Sequence, residues 1–242
     1  MPFERAHTGA MAHALTSFPD LADRVGEVRQ RIDAAVRRGG HGQSVTIVAV
    51  TKTHGPDAVQ AAWDAGLKDV GENRVQEALE KMDALSLPSR WHLIGHLQRN
   101  KVKHLTRFHM LQSLDRASLA DAVHSLGASG RAVDALVQVN TAGEATKGGY
   151  EPAELEREAQ RLTGLHGSPV RGVLVMAPFD MPEGELRRVF SAGREARETL
   201  RAAGHPDASD LSMGMSGDYE IAVEEGATIV RLGTILFGAR AA

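Results

Sequence analysis

The 242-residue sequence contains no cysteine. That excludes disulfides, thiolate metal ligands and a cysteine nucleophile, and it suits a cytoplasmic protein. Aromatic residues are scarce, at 4% against 42% hydrophobic residues in all, so a core has to be built from Val, Leu, Ile, Ala and Met. No apolar run is long enough to span a membrane. Met1 to Asp20, which includes Glu4, Arg5, His7 and His13, lacks the continuous apolar stretch of a secretory signal. Neither sign of charge dominates: the net charge is −3 and the charges are well mixed, so nothing points to nucleic acid or a membrane surface as a partner. Linkers and low-complexity segments are missing too, and the length suits one large domain.

What is present is alternation. Leu21, Val25, Val28, Ile32 and Val36 recur at helical spacing after Phe18-Pro19, and Gly39-Gly40 ends that run. Strands are then expected at Val45–Val50, Lys68–Gly71, Trp91–Ile94, Met110–Leu114, Ala132–Val139, Val170–Met176, Asp210–Met213 and Ile229–Leu232. Ala135-Leu136-Val137-Gln138-Val139 and Gly172-Val173-Leu174-Val175-Met176 are nearly continuous apolar runs, which suit strands of a parallel sheet covered on both faces. Amphipathic helices are expected at Pro56–Ala65, Arg74–Met82, Arg116–Leu126, Pro152–Leu162, Glu183–Ala203 and Asp218–Glu225. Eight strands alternating with helices predict an α/β fold, a single closed (β/α)8 TIM barrel over residues 18–242, with an open doubly wound sheet as the alternative. Residues 1–17 are expected to form a flexible extension.

A barrel gives the strand ends meaning, because active sites of this fold lie at the C-terminal ends of the strands. Those ends read Lys52, Glu72 and Asn73, Gly95, Asp115, Asn140, Met176, Ser212 and Met213, then Arg231 and Gly233. Lys52 follows the apolar run Val48-Ala49-Val50, where a partly dry pocket would lower the pKa of its amine and make it a nucleophile toward carbonyls; an ordinary solvated lysine is the alternative. Ser212-Met213-Gly214-Met215-Ser216-Gly217-Asp218 and Arg231-Leu232-Gly233-Thr234 follow strands seven and eight, the usual phosphate site of such barrels. A simple helix cap by Ser216 is the competing reading of the first turn.

Other phosphate motifs fail on inspection. Gly39-Gly40-His41-Gly42 precedes a strand, and the glycines of Gly143 to Gly149 lack the Lys-Ser/Thr pair of a P-loop. An amine nucleophile beside a phosphate site suggests pyridoxal 5′-phosphate (PLP). If Arg231 faces the pyridine nitrogen it can only donate, which leaves that nitrogen unprotonated and the ring a weaker electron sink; a salt bridge at the barrel rim is the alternative. His92 and His96 share a short spacing without a neighbouring ligand set, so no metal site is expected.

These residues carry a resemblance. The chain from about Leu21 to Arg240 resembles the YggS/PROSC family, the pyridoxal phosphate homeostasis proteins. The matching segments are Ala49-Val50-Thr51-Lys52, Gly71-Glu72-Asn73-Arg74-Val75-Gln76-Glu77, Trp91 to Lys101, Leu211 to Ser216 and Val230 to Gly238. Asn140 through Glu144 to Lys147-Gly148 also fits, without an assigned role. The resemblance implies the barrel of the N-terminal domain of alanine racemase (PLP fold type III), with PLP as cofactor held on Lys52 as a lysine aldimine. It implies that Ser216, Gly233 and Thr234 hold the phosphate, that Arg231 faces the pyridine nitrogen, and that Asn73 and Met213 lie beside the cofactor. Arg74 stands where relatives often carry an aromatic residue.

The same resemblance implies a role in vitamin B6 and amino-acid homeostasis, with little or no turnover and no catalytic residues. A racemase needs a second base, which in alanine racemase is a tyrosine from an extra β-domain. The sequence ends at Ala242, leaving no room for that domain, and its tyrosines are Tyr150, expected near the mouth, and Tyr219, expected in a helix. The expectation is a monomeric PLP-binding protein with PLP-dependent apoenzymes as candidate recipients of the cofactor. A single-domain PLP-dependent racemase or lyase and a Schiff-base aldolase are the alternatives.

Overall fold

The apolar runs become the staves of one barrel. A computed structural model describes residues 17–144 and 148–238. The expected extension at residues 1–17 lies, apart from Ser17, outside the described residues, as does Lys147. Eight parallel strands close in sequence order: β1 (Thr46–Val50), β2 (Asp69–Glu72), β3 (Arg90–Leu93), β4 (Met110–Leu114), β5 (Asp134–Gln138), β6 (Val170–Leu174), β7 (Asp210–Ser212) and β8 (Ile229–Leu232). β1 and β8 seal the cylinder in a register from Thr46 opposite Ile229 to Ala49 opposite Leu232.

The helices follow their apolar stripes. α1 (Leu21–Gly39) buries Leu21, Val25, Val28, Ile32 and Ala35, and it stops at Gly40, whose φ of 72° lets its N–H reach back to the Val36 carbonyl. α2 (Pro56–Asp64), α3 (Val75–Ala84), α4 (Ala117–Ala128), α5 (Leu155–Leu162), α6 (Glu183–Ala202), α7 (Tyr219–Glu224) and α8 (Thr234–Phe237) complete the outer shell. α1 packs on α7 and α8 beside the β1–β8 seam, and Arg24 ties it there by donating to the Leu236 carbonyl.

Two cores result. The larger lies between sheet and helices, and includes Leu93, Leu111, Val137, Phe190 and Leu211. Each such side chain, fully buried, contributes about 1.5–3 kcal/mol. The smaller fills the barrel with Val48, Met110, Leu136, Leu174 and Ile229. It shares that space with buried polar residues, among them His92, Gln112, Ser212 and Arg231. The interior is tight: a Cβ at Gly71 would lie 2.8 Å from a methyl of Val48.

Some boundaries differ from the sequence expectation. β5 ends at Gln138; Val139 keeps its N–H bond to the Leu174 carbonyl and forms an isolated bridge to Tyr150. Arg99–Arg107, for which no helix is expected, is a 3-10 helix burying only Val102 and Leu105. Their spacing of three matches its three residues per turn. Pro152–Glu154 likewise forms a 3-10 turn before α5. Among the described residues no helix is long and apolar enough to cross a membrane.

Candidate functional site

A cavity of about 790 Å³ opens at the C-terminal ends of the strands. Lys52, Asn73, Ser216, Arg231, Gly233 and Thr234 all line it, so the sequence-predicted residues from β1, β2, β7 and β8 meet at one mouth. Met213 is the exception. Its side chain is fully buried in the core between sheet and helices, because the residue after Ser212 on β7 points outward from the barrel.

Lys52 is half-buried in the turn after β1. That turn is clamped on both sides by one ionic cluster. Thr51 donates from Oγ1 to Glu72 Oε1 at 2.6 Å, and its carbonyl accepts from Lys81 Nζ at 2.8 Å. The Thr53 N–H donates to Glu77 Oε1 at 2.5 Å. Lys81, from α3, bridges both carboxylates, at 2.6 Å to Glu72 and 2.9 Å to Glu77. Burial pushes the Glu72 carboxyl up, against the opposing pull of the bonds from Lys81 and Thr51. Burial also acts to raise Glu77, but its bonds from Lys81 and the Thr53 backbone prevail and hold it low.

The far side of the mouth is built from the turns after β7 and β8. Gly214 adopts φ +91°, and a Cβ there would lie 2.6 Å from that of Ala222, so this turn requires glycine. Asp218, at the N-cap of α7, accepts the Met215 N–H at 2.5 Å. Ser216 is thereby released from capping its own helix. Its Oγ instead accepts backbone N–H groups of the other turn, from Gly233 at 3.3 Å and Ile235 at 3.2 Å. With its oxygen accepting from both amides, Ser216 can turn its own O–H outward, and together with the exposed Thr234 hydroxyl it offers donors to an anionic oxygen.

Arg231 reaches the cavity from β8 although it is buried. Its Nη1 donates to Ser212 Oγ at 2.7 Å and its Nη2 to the Val175 carbonyl at 2.9 Å. Burial lowers its pKa to about 10, with Asp218 opposing, so the guanidinium stays charged at neutral pH and acts only as a donor. The same cavity is lined by a contact the sequence reading did not single out: His96 Nδ1 sits 2.7 Å from Asp115 Oδ2, and Arg116 holds the other carboxylate oxygen at 2.5 Å.

Tyr150 does not approach the mouth. It is buried in the outer core, where its hydroxyl donates to Glu158 Oε1 of α5 at 2.8 Å. Burial, followed by Glu158, pushes its phenol far above the ordinary range. His92 and His96 do not form a pair, since one points into the barrel and the other lines the mouth. Among the described residues no group of three or more His, Asp and Glu is arranged to hold a metal ion. Lys81 was missed because a helix lysine ordinarily reads as solvated; its place on the face of Val75, Ala78 and Leu79, four residues after Glu77, was the available signal.

This barrel and mouth define a class. The family described as the N-terminal domain of alanine racemase matches residues 25–241. The alanine racemase of Corynebacterium glutamicum superposes with a TM-score of 0.72 at 14% identity, covering 92% of this chain and 62% of that one, which shows the shared fold. Within the class, the chain belongs to the pyridoxal phosphate homeostasis proteins. It is 41% identical over 226 residues to the protein of that name from Aquifex aeolicus, covering 91% of this chain and 99% of the relative. The Escherichia coli protein of that name is 34% identical over 230 residues, covering 91% and 97%. Among solved structures, PipY of Synechococcus elongatus with PLP bound has a TM-score of 0.79 at 33% identity, covering 90% of this chain and all of that one (100%).

Proposed function

We propose that this protein binds pyridoxal 5′-phosphate at the mouth cavity and serves vitamin B6 and amino-acid homeostasis by holding the cofactor with little or no turnover. The observation that carries this reading is the convergence of a half-buried lysine, a Ser216 hydroxyl fixed by two backbone amides beside Thr234, and a buried, charged arginine on one 790 Å³ cavity. The donor chemistry fits the group: amides and hydroxyls suit phosphate oxygens, and a guanidinium suits a ring nitrogen that accepts. When bound, PLP supplies an aldehyde open to reversible capture by an amine and a ring able to take up electron density.

In this reading Lys52 is the tether, with its turn held by the Glu72–Lys81–Glu77 cluster. Ser216, Gly233 and Thr234 hold the phosphate, Asn73 lies beside the ring, and Arg231 faces its nitrogen. Met213 supports the β7 turn from behind. An arginine keeps no proton on that nitrogen, so the site retains the group without making it a strong electron sink. The relatives' names and the PLP in the PipY structure support the assignment. The reading places the protein in the cytoplasm, with PLP-dependent apoenzymes as recipients.

Absorbance of the purified protein with PLP tests it. A visible band is expected, fixed onto Lys52 by borohydride, located by peptide mapping and lost in Lys52→Ala. A colourless wild-type protein, label on another lysine, or rapid turnover of one amino acid would overturn the reading.

A further inference from the structure

The barrel interior contains an unbroken line of polar side chains. Arg231 Nη1 donates to Ser212 Oγ at 2.7 Å, and Ser212 Oγ donates to Gln112 Oε1 at 2.7 Å. Gln112 Nε2 lies 2.9 Å from His92 Nδ1, and His92 Nε2 lies 3.0 Å from Asp69 Oδ1. The five residues come from β8, β7, β4, β3 and β2, and none is more than 5% exposed. At the far end Arg90 grips Asp69 through both carboxylate oxygens, at 2.8 and 2.5 Å. Asp69 and Arg90 line a hollow at the opposite end of the barrel from the mouth.

Bonding chemistry gives this line a direction. A guanidinium only donates, so the Ser212 oxygen accepts and its proton goes to Gln112. That orients the amide, whose N–H then faces His92 Nδ1 and requires a lone pair there. The His92 proton therefore sits on Nε2 and points at Asp69. Burial acts to raise the Asp69 carboxyl, but the bonds from His92 and Arg90 win and hold it at about 2, so it only accepts. In this orientation every donor along the line meets an acceptor, and a buried group left unpaired costs about 1–3 kcal/mol. Apolar residues pack around this line, and polar ones hold their place there only as a fully satisfied network.

We propose that Asp69, His92, Gln112 and Ser212 are positioning residues for Arg231, a one-way hydrogen-bond relay that fixes the plane and the donor role of the guanidinium at the cavity floor. The ring-nitrogen part of this proposal rests on the PLP reading above; the relay itself is a property of the ligand-free chain.

Ring-nitrogen NMR of the full chain, labelled with 15N-histidine and free of ligand, tests the relay directly. The expected wild-type signature is a neutral His92 with its proton on Nε2 and a bare Nδ1. In Gln112→Glu the new carboxylate faces Nδ1 and can only accept, so Nδ1 is expected to take up a proton and its resonance to move to the protonated range. Leu136→Val, an apolar change in the same interior, is expected to leave the ring unchanged. On PLP-loaded protein, Ser212→Ala is expected to shift the visible band and weaken PLP binding by about tenfold or more, the size of one hydrogen bond to a charged group.

A wild-type His92 protonated on Nδ1, or one unmoved by Gln112→Glu in folded protein, overturns the relay. Unaltered PLP affinity and band in folded Ser212→Ala overturns its action on the site. Should Ser212→Ala not fold, the two NMR measurements decide. Failure of wild-type protein to bind PLP strikes the proposed function and leaves the His92 test standing.

Discussion

Replacing Lys81 by methionine keeps most of its bulk and removes one buried charge. The ammonium makes three short bonds, to the Thr51 carbonyl and to Glu72 and Glu77. Lys81 and Glu72 are both buried, and Glu72 Oε2 already has no partner. Breaking one side of a buried ion pair costs about 3–5 kcal/mol. The lower end applies, because burial already pushes the Glu72 carboxyl up and it can take a proton once Lys81 is gone. About 3 kcal/mol in a chain of this size lowers Tm by roughly 6–12 °C.

The penalty depends on pH with a definite sign. Glu72 has a folded-state pKa above its ordinary value, so ionising it in the fold is unfavourable. Without Lys81 that pKa rises further. The deficit of Lys81→Met against wild type is therefore greatest above the variant's Glu72 pKa and shrinks as pH falls through it. Calorimetry at pH 7.5 and pH 5 reads both effects, and adding Glu72→Gln to Lys81→Met should recover part of the loss. The loosened Lys52 turn should also slow borohydride-fixable PLP capture. A Tm loss under about 2 °C at pH 7.5, with no pH dependence, would refute the reasoning.

Asp69, held at about 2 in the fold, contributes stability that is present above its unfolded pKa and lost as pH falls toward 2. Asp69→Asn should flatten that acid limb by about 2 kcal/mol, measured as Tm against pH from 2 to 6. Gly214→Ala forces a Cβ onto a φ of +91° and to 2.6 Å from the Cβ of Ala222; it should cost about 1–3 kcal/mol in urea unfolding and weaken PLP binding. Tyr150→Phe removes one of two bonds to Glu158 Oε1, Arg161 keeping the other; it should lower stability by about 1–3 kcal/mol yet leave the PLP band where it was, since Tyr150 lies away from the mouth.

The barrel was legible because its strands are continuous apolar runs, and strand order in such a fold leaves little freedom. That Lys52, Ser216, Arg231 and Gly233 meet at one mouth was legible because strand ends converge there in a barrel. The residues that hold them were not. Gln112 and His92 sit in strands next to Leu111, Trp91 and Leu93, and nothing in a linear pattern says that the alternate face of a closed barrel is a polar line. Met213 likewise follows a strand end, but its side chain lies on the outer face of the pleat. Tyr150 is expected near the mouth from sequence, whereas its phenol is drawn outward to Glu158 on the following helix.

The seam between β1 and β8 has a consequence for how the molecule is assembled. Thr46 pairs with Ile229, so this junction joins segments separated by nearly the whole described chain. Lys52 follows one flank of it; Arg231, Gly233 and Thr234 belong to the other. Contacts so distant in sequence carry a large loop-closure cost and slow the folding rate, and the two halves of the mouth meet only through them. Any molecule that grips both flanks acts as a clasp across the joint. Its occupancy should appear as slowed hydrogen exchange at the Thr46 and Val48 amides, and its departure should leave the barrel ready to open along that line first.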